Sequence, residues 1–104
     1  MQISMRTSKE ICGWRTRLYV GAPNTTHRLS VKYVKKIHSW AASVKLTNYT
    51  LLTGKGYWNG NEEGTAIIEY MGPPIKKCKV RALKDTLRQD AILLTVDKVR
   101  STVV

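Results

Sequence analysis

Apolar residues in this chain recur with two different periods, and the order in which the periods alternate leaves few folds open. In the stretch RTRLYVG, Leu18 and Val20 alternate with Arg17 and Tyr19, the period of a half-buried strand. A loop follows from Ala22 to His27. Ser30 then offers an N-cap, and Leu29 with Val34 has the spacing of a hydrophobic staple. Tyr33, Ile37, Trp40 and Val44 share one face of the next segment, with Val34 and Ala41 beside them, while Lys32, Lys35, Lys36 and Ser39 fall mostly opposite. The spacing predicts a helix over about 30–45. From Leu46 to Trp58 the chain is rich in Thr, Tyr and Leu and reads as a strand, with a bulge or bend expected at Gly54 and Gly56.

Asn59-Gly60-Asn61 is a hairpin signal, and Thr65–Tyr70 forms the returning strand with Ala66, Ile68 and Tyr70 on one face. Gly72-Pro73-Pro74 ends that strand and opens a second helix, because proline suits a first helical turn. Val80, Leu83 and Leu87 are its buried stripe, bordered by Cys78 or Ala82. Ile92, Leu94 and Val96 alternate with Leu93, Thr95 and Asp97 as a last strand, and residues after Arg100 read as a tail or an extension of it. Residues 1–13 show no clean period and read as an N-terminal arm or a short extra strand, ahead of one domain over 14–104.

The order is β-α-β-β-α-β. Two βαβ-type halves joined by a hairpin make the ferredoxin-like split arrangement, an α+β fold. Right-handed crossovers place both helices on one face of a four-stranded antiparallel sheet. The other face is expected to carry Arg17 and Tyr19, then Thr65, Ile67 and Glu69, then Leu93, Thr95 and Asp97. Ile67 and Leu93 are costly to leave together in water, so Arg17, Tyr19, Ile67 and Leu93 are expected to form the interface of a homo-oligomer.

At 104 residues and 42% hydrophobic content the chain fits one modest core. No apolar run approaches the roughly 20 residues that span a bilayer, and MQISMRTSKE lacks the apolar region of a secretion signal. A soluble, cytoplasmic protein without membrane contact is expected. Cys12 and Cys78 stand far apart, with no CxxC or Cys/His cluster, and are read as free thiols with no metal and no cofactor.

Charge carries the functional argument. Eighteen Lys and Arg face seven Asp and Glu, a net +11 that stores self-repulsion. Lys76, Lys77, Lys79, Arg81, Lys84 and Arg88 crowd one stretch opposed only by Asp85. On a helix, Lys76, Lys77, Lys84 and Arg88 make a broad basic face, which is either a solvated exterior or a site for a phosphate-bearing ligand. In GKGYWNGNEEG, Lys55 supplies charge and Tyr57 and Trp58 supply flat surfaces on which a base could stack, unless these aromatics only cover the core's edge. The string is not a P-loop. Glu62 and Glu63 are adjacent on a strand and point to opposite faces, which argues against a shared ion. Neither His27 nor His38 has a visible catalytic partner. Asn24 to Arg28 form a polar loop at the start of the first helix, where free N–H groups attract anions, and Asn24 and Arg28 are candidate ligand contacts.

RTRLYVG, YTLLTGKGYWNGNEEGTAIIEY and LRQDAILLTV, within Arg15 to about Val99, resemble a group of small ferredoxin-like proteins of phages and bacteria. The most specific parts are G-Y-W-N-G-x-E and L-x-Q-D-A-[IL]. The resemblance implies an anti-defence protein acting in the host cytoplasm, since such proteins include oligomers that sequester nucleotide second messengers and others that bind nucleic acid. It transfers no functional residue. RNA-recognition modules share the element order, but TAIIEY puts Ile67 and Glu69 where their stacking aromatics belong. The leading expectation is a non-enzymatic oligomer that captures a nucleotide-like anion in pockets between protomers, built from basic side chains, glycine-backed N–H groups and Tyr57 and Trp58. Binding of RNA or DNA along the second helix is the alternative, and a small metal-dependent nuclease ranks third because no carboxylates cluster.

Overall fold

The Asn59-Gly60 turn sets the register of the sheet. In the computed structural model, which describes residues 9–104 with side chains from residue 13 onward, both turn residues have positive φ, 51° and 79°. That is the type I′ geometry whose twist matches the strands it joins, and glycine takes the second position without steric cost. The turn links β2 (Thr50–Trp58) to β3 (Asn61–Met71). β1 (Lys9–Gly21) lies on the other side of β3, and β4 (Leu93–Val103) pairs with β1, giving the antiparallel order β2-β3-β1-β4. α1 (Val31–Ser43) and α2 (Lys77–Thr86) are the two crossovers. This is the ferredoxin-like βαββαβ fold.

Both helices bury the same sheet face. Leu18 and Val20 of β1 and Ala66, Ile68 and Tyr70 of β3 join Tyr33, Ile37, Trp40 and Ala41 of α1 and Val80, Leu83 and Leu87 at α2 in one cluster. The two apolar stripes read from helical spacing are therefore the observed ones. Ser30 Oγ accepts from Tyr33 N at 3.1 Å, as an N-cap should. Trp40 Nε1 donates to Lys79 O at 2.8 Å and fastens α1 to α2. Each helix ends in a Schellman motif with a basic residue in the left-handed position usually given to glycine. Lys45 (φ 61°) follows α1 and Arg88 (φ 54°) follows α2.

Three local expectations need correction. β2 pairs with β3 without a break from Thr50 to Trp58, so Gly54 and Gly56 make no bulge. At Gly56 the reason is steric: the Trp58 indole nitrogen lies 2.9 Å from where a Cβ would stand. The strand also starts at Thr50, four residues after Leu46. Finally, α2 begins at Lys77 rather than at the prolines. A residue before proline is steered out of the helical region, and the Ile75 N–H is taken by Tyr70 Oη at 2.9 Å.

The sheet is longer than its four-stranded part. β1 starts at Lys9, inside the segment read as an arm or extra strand, and pairs with β4 as far as Val103. Residues 9–14 and 98–103 thus form a two-stranded ribbon beyond the end of β3, and the β2–β3 turn projects at the opposite end, giving extents of 51 × 29 × 24 Å. On the ribbon, Lys98 Nζ stands 5.3 Å from the Trp14 ring centroid. No helix among the described residues is long and apolar enough to cross a membrane. Cys78 is a free, exposed thiol, and the Cys12 side chain lies outside the described residues.

One buried phenol links this architecture to pH. Tyr33 Oη donates to Gly21 O at 2.6 Å beneath the sheet's end, and burial pushes its pKa up to about 12. The fold therefore holds this proton more tightly than the unfolded chain does. Its contribution is complete below pH 10 and is lost as pH rises through about 12. Tyr33→Phe should cost about 1 kcal/mol near neutrality. Chemical denaturation across pH 8–12 should then show the gap between variant and parent closing above pH 10; a gap constant with pH would contradict the assignment.

Candidate functional site

Gly64 is where the β2–β3 hairpin is stitched to the loop ahead of α1. Its N–H donates to His27 O at 2.9 Å and its carbonyl accepts from Ala22 N at 2.9 Å. A Cβ there would stand 3.2 Å from Leu29 Cγ and 3.3 Å from Leu29 N. The stitch joins loop and hairpin, and a groove of about 880 Å³ opens between α1 and the hairpin. Leu29, Val31 and Val34 supply its apolar surface. Val31 is 75% exposed, so that surface faces solvent. Arg28, Lys35 and Lys55 supply cations around it, with His38 on the helical side.

The carboxylates of the groove differ in their partners. Glu62 is held by Tyr57, whose hydroxyl donates to Oε1 at 2.8 Å, and by Lys55 Nζ at 3.8 Å. That hydrogen bond raises the Tyr57 pKa, because the carboxylate favours the protonated phenol. Glu63 is more enclosed, its side chain 15% exposed, and the basic side chain beside it is the His27 imidazole, with Nδ1 at 3.7 Å. His27 itself sits at φ 57°. Glu63 Oε1 occupies the space beside Gly21, 2.6 Å from where a Cβ would be. Among the described residues no three His, Cys, Asp or Glu side chains converge to hold a metal ion.

The candidates from sequence are dispersed, seven of them over three hollows and two outside these. Arg28 and Lys55 meet in the groove, with Tyr57 tied to its rim through Glu62. Asn24 and Arg88, assigned to different features in the sequence, line one separate pocket. Lys77 and Lys84 line a third, smaller groove between α2 and β4, and Lys76 is exposed outside all three. Lys84 Nζ is 3.8 Å from Asp85. Trp58 points to the helix-free face, away from Tyr57, as neighbours in a strand must. The two aromatics do not form one stacking platform. Lys35 and the apolar Val31 and Val34 were not anticipated as site residues. Their signal was present, because Val31, Val34, Lys35 and His38 make a second stripe at helical spacing beside the core stripe.

The helix-free face has its own pattern. Leu52, Ile67, Tyr19 and Leu93 are successive cross-strand neighbours and form one row over all four strands. Leu52 is 44% and Leu93 50% exposed. Below this row Arg17 Nε contacts Glu69 Oε1 at 2.6 Å and Arg15 Nη2 contacts Asp97 Oδ2 at 2.8 Å. Two arginines and two carboxylates cancel there, so the net charge of +11 lies elsewhere on the molecule.

Replacing Gly64 by alanine should push Leu29 away by a few tenths of an ångström and shift the loop against the hairpin. We expect a tenfold or greater loss of groove-ligand affinity, a size set by misplaced binding groups, with a modest loss of stability. Calorimetric titration checks it; unchanged affinity would detach the groove from the stitch.

No protein-family profile matches the chain, and no curated protein sequence does. Its shape does match solved structures. A phage SAM lyase in complex with S-methyl-5′-thioadenosine superposes with a TM-score of 0.60 at 13% identity, over 88% of each chain. The apo form of CPII, a nitrogen regulatory PII-like protein from Thiomonas intermedia K12, gives 0.59 at 9% identity over 94% of this chain and all of that one. CPII bound to ADP, AMP and bicarbonate gives 0.51 at 10% identity, over 89% of this chain and 98% of that one. At such identities the likeness is one of fold, and the chain has in common with phage SAM lyase and PII-like proteins the ferredoxin-like arrangement built above from its own residues.

Proposed function

We propose that the protein binds an adenosine-type ligand in the groove at the head of α1, and that it works as an assembly of copies joined through the helix-free sheet face. The groove carries the reading. Its apolar surface suits a base and sugar, and its rim of Arg28, Lys35 and Lys55 suits phosphates. Proteins of the same fold supply support of a weaker kind, since one is solved with S-methyl-5′-thioadenosine and another with ADP and AMP. The leading form is capture without turnover, in the manner of a phage anti-defence protein that sequesters a nucleotide-derived signal.

A second reading rests on Glu63. A half-enclosed carboxylate with one distant histidine is poorly matched to a phosphate and well matched to a cation. S-adenosylmethionine is an adenosine ligand with a cationic sulfonium. Attack of its own carboxylate on the γ-carbon forms a C–O bond and breaks the C–S bond, so the amino-acid chain leaves as a lactone and the electron pair stays on sulfur as S-methyl-5′-thioadenosine. On this reading Glu63 holds the sulfonium side of the substrate.

One experiment separates the readings. AMP, ADP, cyclic dinucleotides and S-adenosylmethionine are titrated against the protein, and each mixture is then analysed by chromatography. Saturable binding with the ligand recovered intact supports capture. Release of S-methyl-5′-thioadenosine that Glu63→Gln abolishes supports cleavage. An affinity only for oligonucleotides, falling steeply with salt, moves the function to the basic surface of α2. If no adenosine ligand binds, the proposal fails.

A further inference from the structure

On the far side of α1 a second pocket, of about 510 Å³, opens where the loop after β1 meets the end of α2. Asn24 and Thr25 of the loop, Lys36 of α1, and Thr86 and Arg88 at the end of α2 line it. It has no carboxylate in its walls, unlike the groove at the head of α1. Among the described residues neither Lys36 nor Arg88 makes an ion pair; of the two acids nearest Arg88 in sequence, Asp90 lines the α2–β4 groove and Asp85 contacts Lys84. Tyr33 also borders the pocket, but its hydroxyl is committed to Gly21 O.

Arg88 stands in a position that works against it. It is the left-handed residue of the Schellman motif, with its N–H bonded to Asp85 O at 3.1 Å. Glycine suits that place best, and a residue with a Cβ is strained there. A helix C-terminus attracts cations, which accounts for a basic residue after both helices, Lys45 as well as Arg88. It does not account for Lys36, which comes from the middle of the other helix and lines the same cavity. Two unpaired cations facing one hollow repel each other until an anion enters. Asn24, Thr25 and Thr86 add neutral donors. A volume of 510 Å³ has room for more than one phosphoryl group.

We infer that this pocket is a diphosphate-binding site, separate from the groove and independent of what the groove holds. Its ligand is a diphosphate group, either free or as the tail of a nucleotide.

The strained turn gives a clean test. Arg88→Gly removes the guanidinium and supplies the residue the turn prefers, so the variant should fold and melt no lower than the parent. Pyrophosphate, ADP and adenosine are titrated by calorimetry at low ionic strength into the parent, Arg88→Gly, Lys36→Gln and the groove variant Lys35→Gln. Pyrophosphate should bind the parent, and Arg88→Gly and Lys36→Gln should each weaken it about tenfold or more, the loss of one charge-assisted hydrogen bond. Lys35→Gln should leave it unchanged. ADP that competes with pyrophosphate identifies a nucleotide tail as the source; ADP that leaves pyrophosphate in place identifies the free anion. The inference is overturned if pyrophosphate does not bind the parent, or if it binds Arg88→Gly as tightly.

Discussion

Ile67→Lys is expected to yield a folded monomer from a parent protein that we propose to be an assembly. The position is half-buried at the centre of the row Leu52–Ile67–Tyr19–Leu93, on the face the helices leave bare. A lysine there reaches solvent in the monomer, so the fold should lose little. In a face-to-face contact the same ammonium is buried without a partner, at a cost of several kcal/mol. That cost should raise the dissociation constant by roughly a hundredfold or more. The charge pattern favours this face for the proposed contact. Copies of a chain with net charge +11 repel. The Arg15–Asp97 and Arg17–Glu69 pairs leave this face neutral, so two copies approach here at the least electrostatic cost. Four strands about 4.8 Å apart and seven residues at about 3.3 Å each give a face on the order of 440 Å². Two such faces fall near the lower limit of about 1,000 Å² for a stable interface, so one lost apolar contact should be decisive. Light scattering on parent and variant at matched concentration measures this. A parent that is monomeric at tens of micromolar, or a variant that remains assembled, would contradict the interface.

The second large effect is expected at the groove. Arg28→Glu combined with Lys55→Glu should abolish AMP and ADP binding while the melting temperature changes little. Both side chains are exposed. Arg28 has no ion-pair partner among the described residues, and Lys55 has only a 3.8 Å contact with Glu62. A charge-assisted hydrogen bond contributes about 1.5–3 kcal/mol. Replacing two such donors by carboxylates removes both and adds repulsion, for a combined loss of roughly a hundredfold or more. S-adenosylmethionine gives the contrast. If its sulfonium sits against Glu63, the double variant should retain most of its affinity for that ligand, and Glu63→Gln should lose it. Equilibrium titration of both ligands into both variants reads the two charges of the site separately. A double variant that binds ADP as the parent does would remove Arg28 and Lys55 from the site.

The fold was legible in the sequence because its signals are local and periodic. Tyr33, Ile37 and Trp40 mark the α1 stripe, Val80, Leu83 and Leu87 the α2 stripe, and Asn59-Gly60 the turn that fixes the hairpin register. The misreadings arose where tertiary contact overrode local preference. Pro73 and Pro74 suit a helix start, but Tyr70 Oη takes the Ile75 N–H and the helix waits for Lys77. Gly54 and Gly56 read as a break, yet β2 runs through them. The groove was only partly visible, because no linear pattern shows which residues a fold brings together. Arg28 and Lys55 are 27 positions apart in sequence and meet only because Gly64 bonds to both ends of the loop ahead of α1. The charge run of α2 was the loudest signal in the sequence. In space it is divided between the α2–β4 groove, the pocket at Arg88 and open solvent.

The most direct test of the account is an amide chemical-shift titration of isotope-labelled protein with AMP and with S-methyl-5′-thioadenosine. For at least one of the two, saturable shifts should cluster at Arg28–Lys35, Thr53–Lys55 and Glu62–Gly64. Shifts confined to α2, or none at low ionic strength, would contradict it.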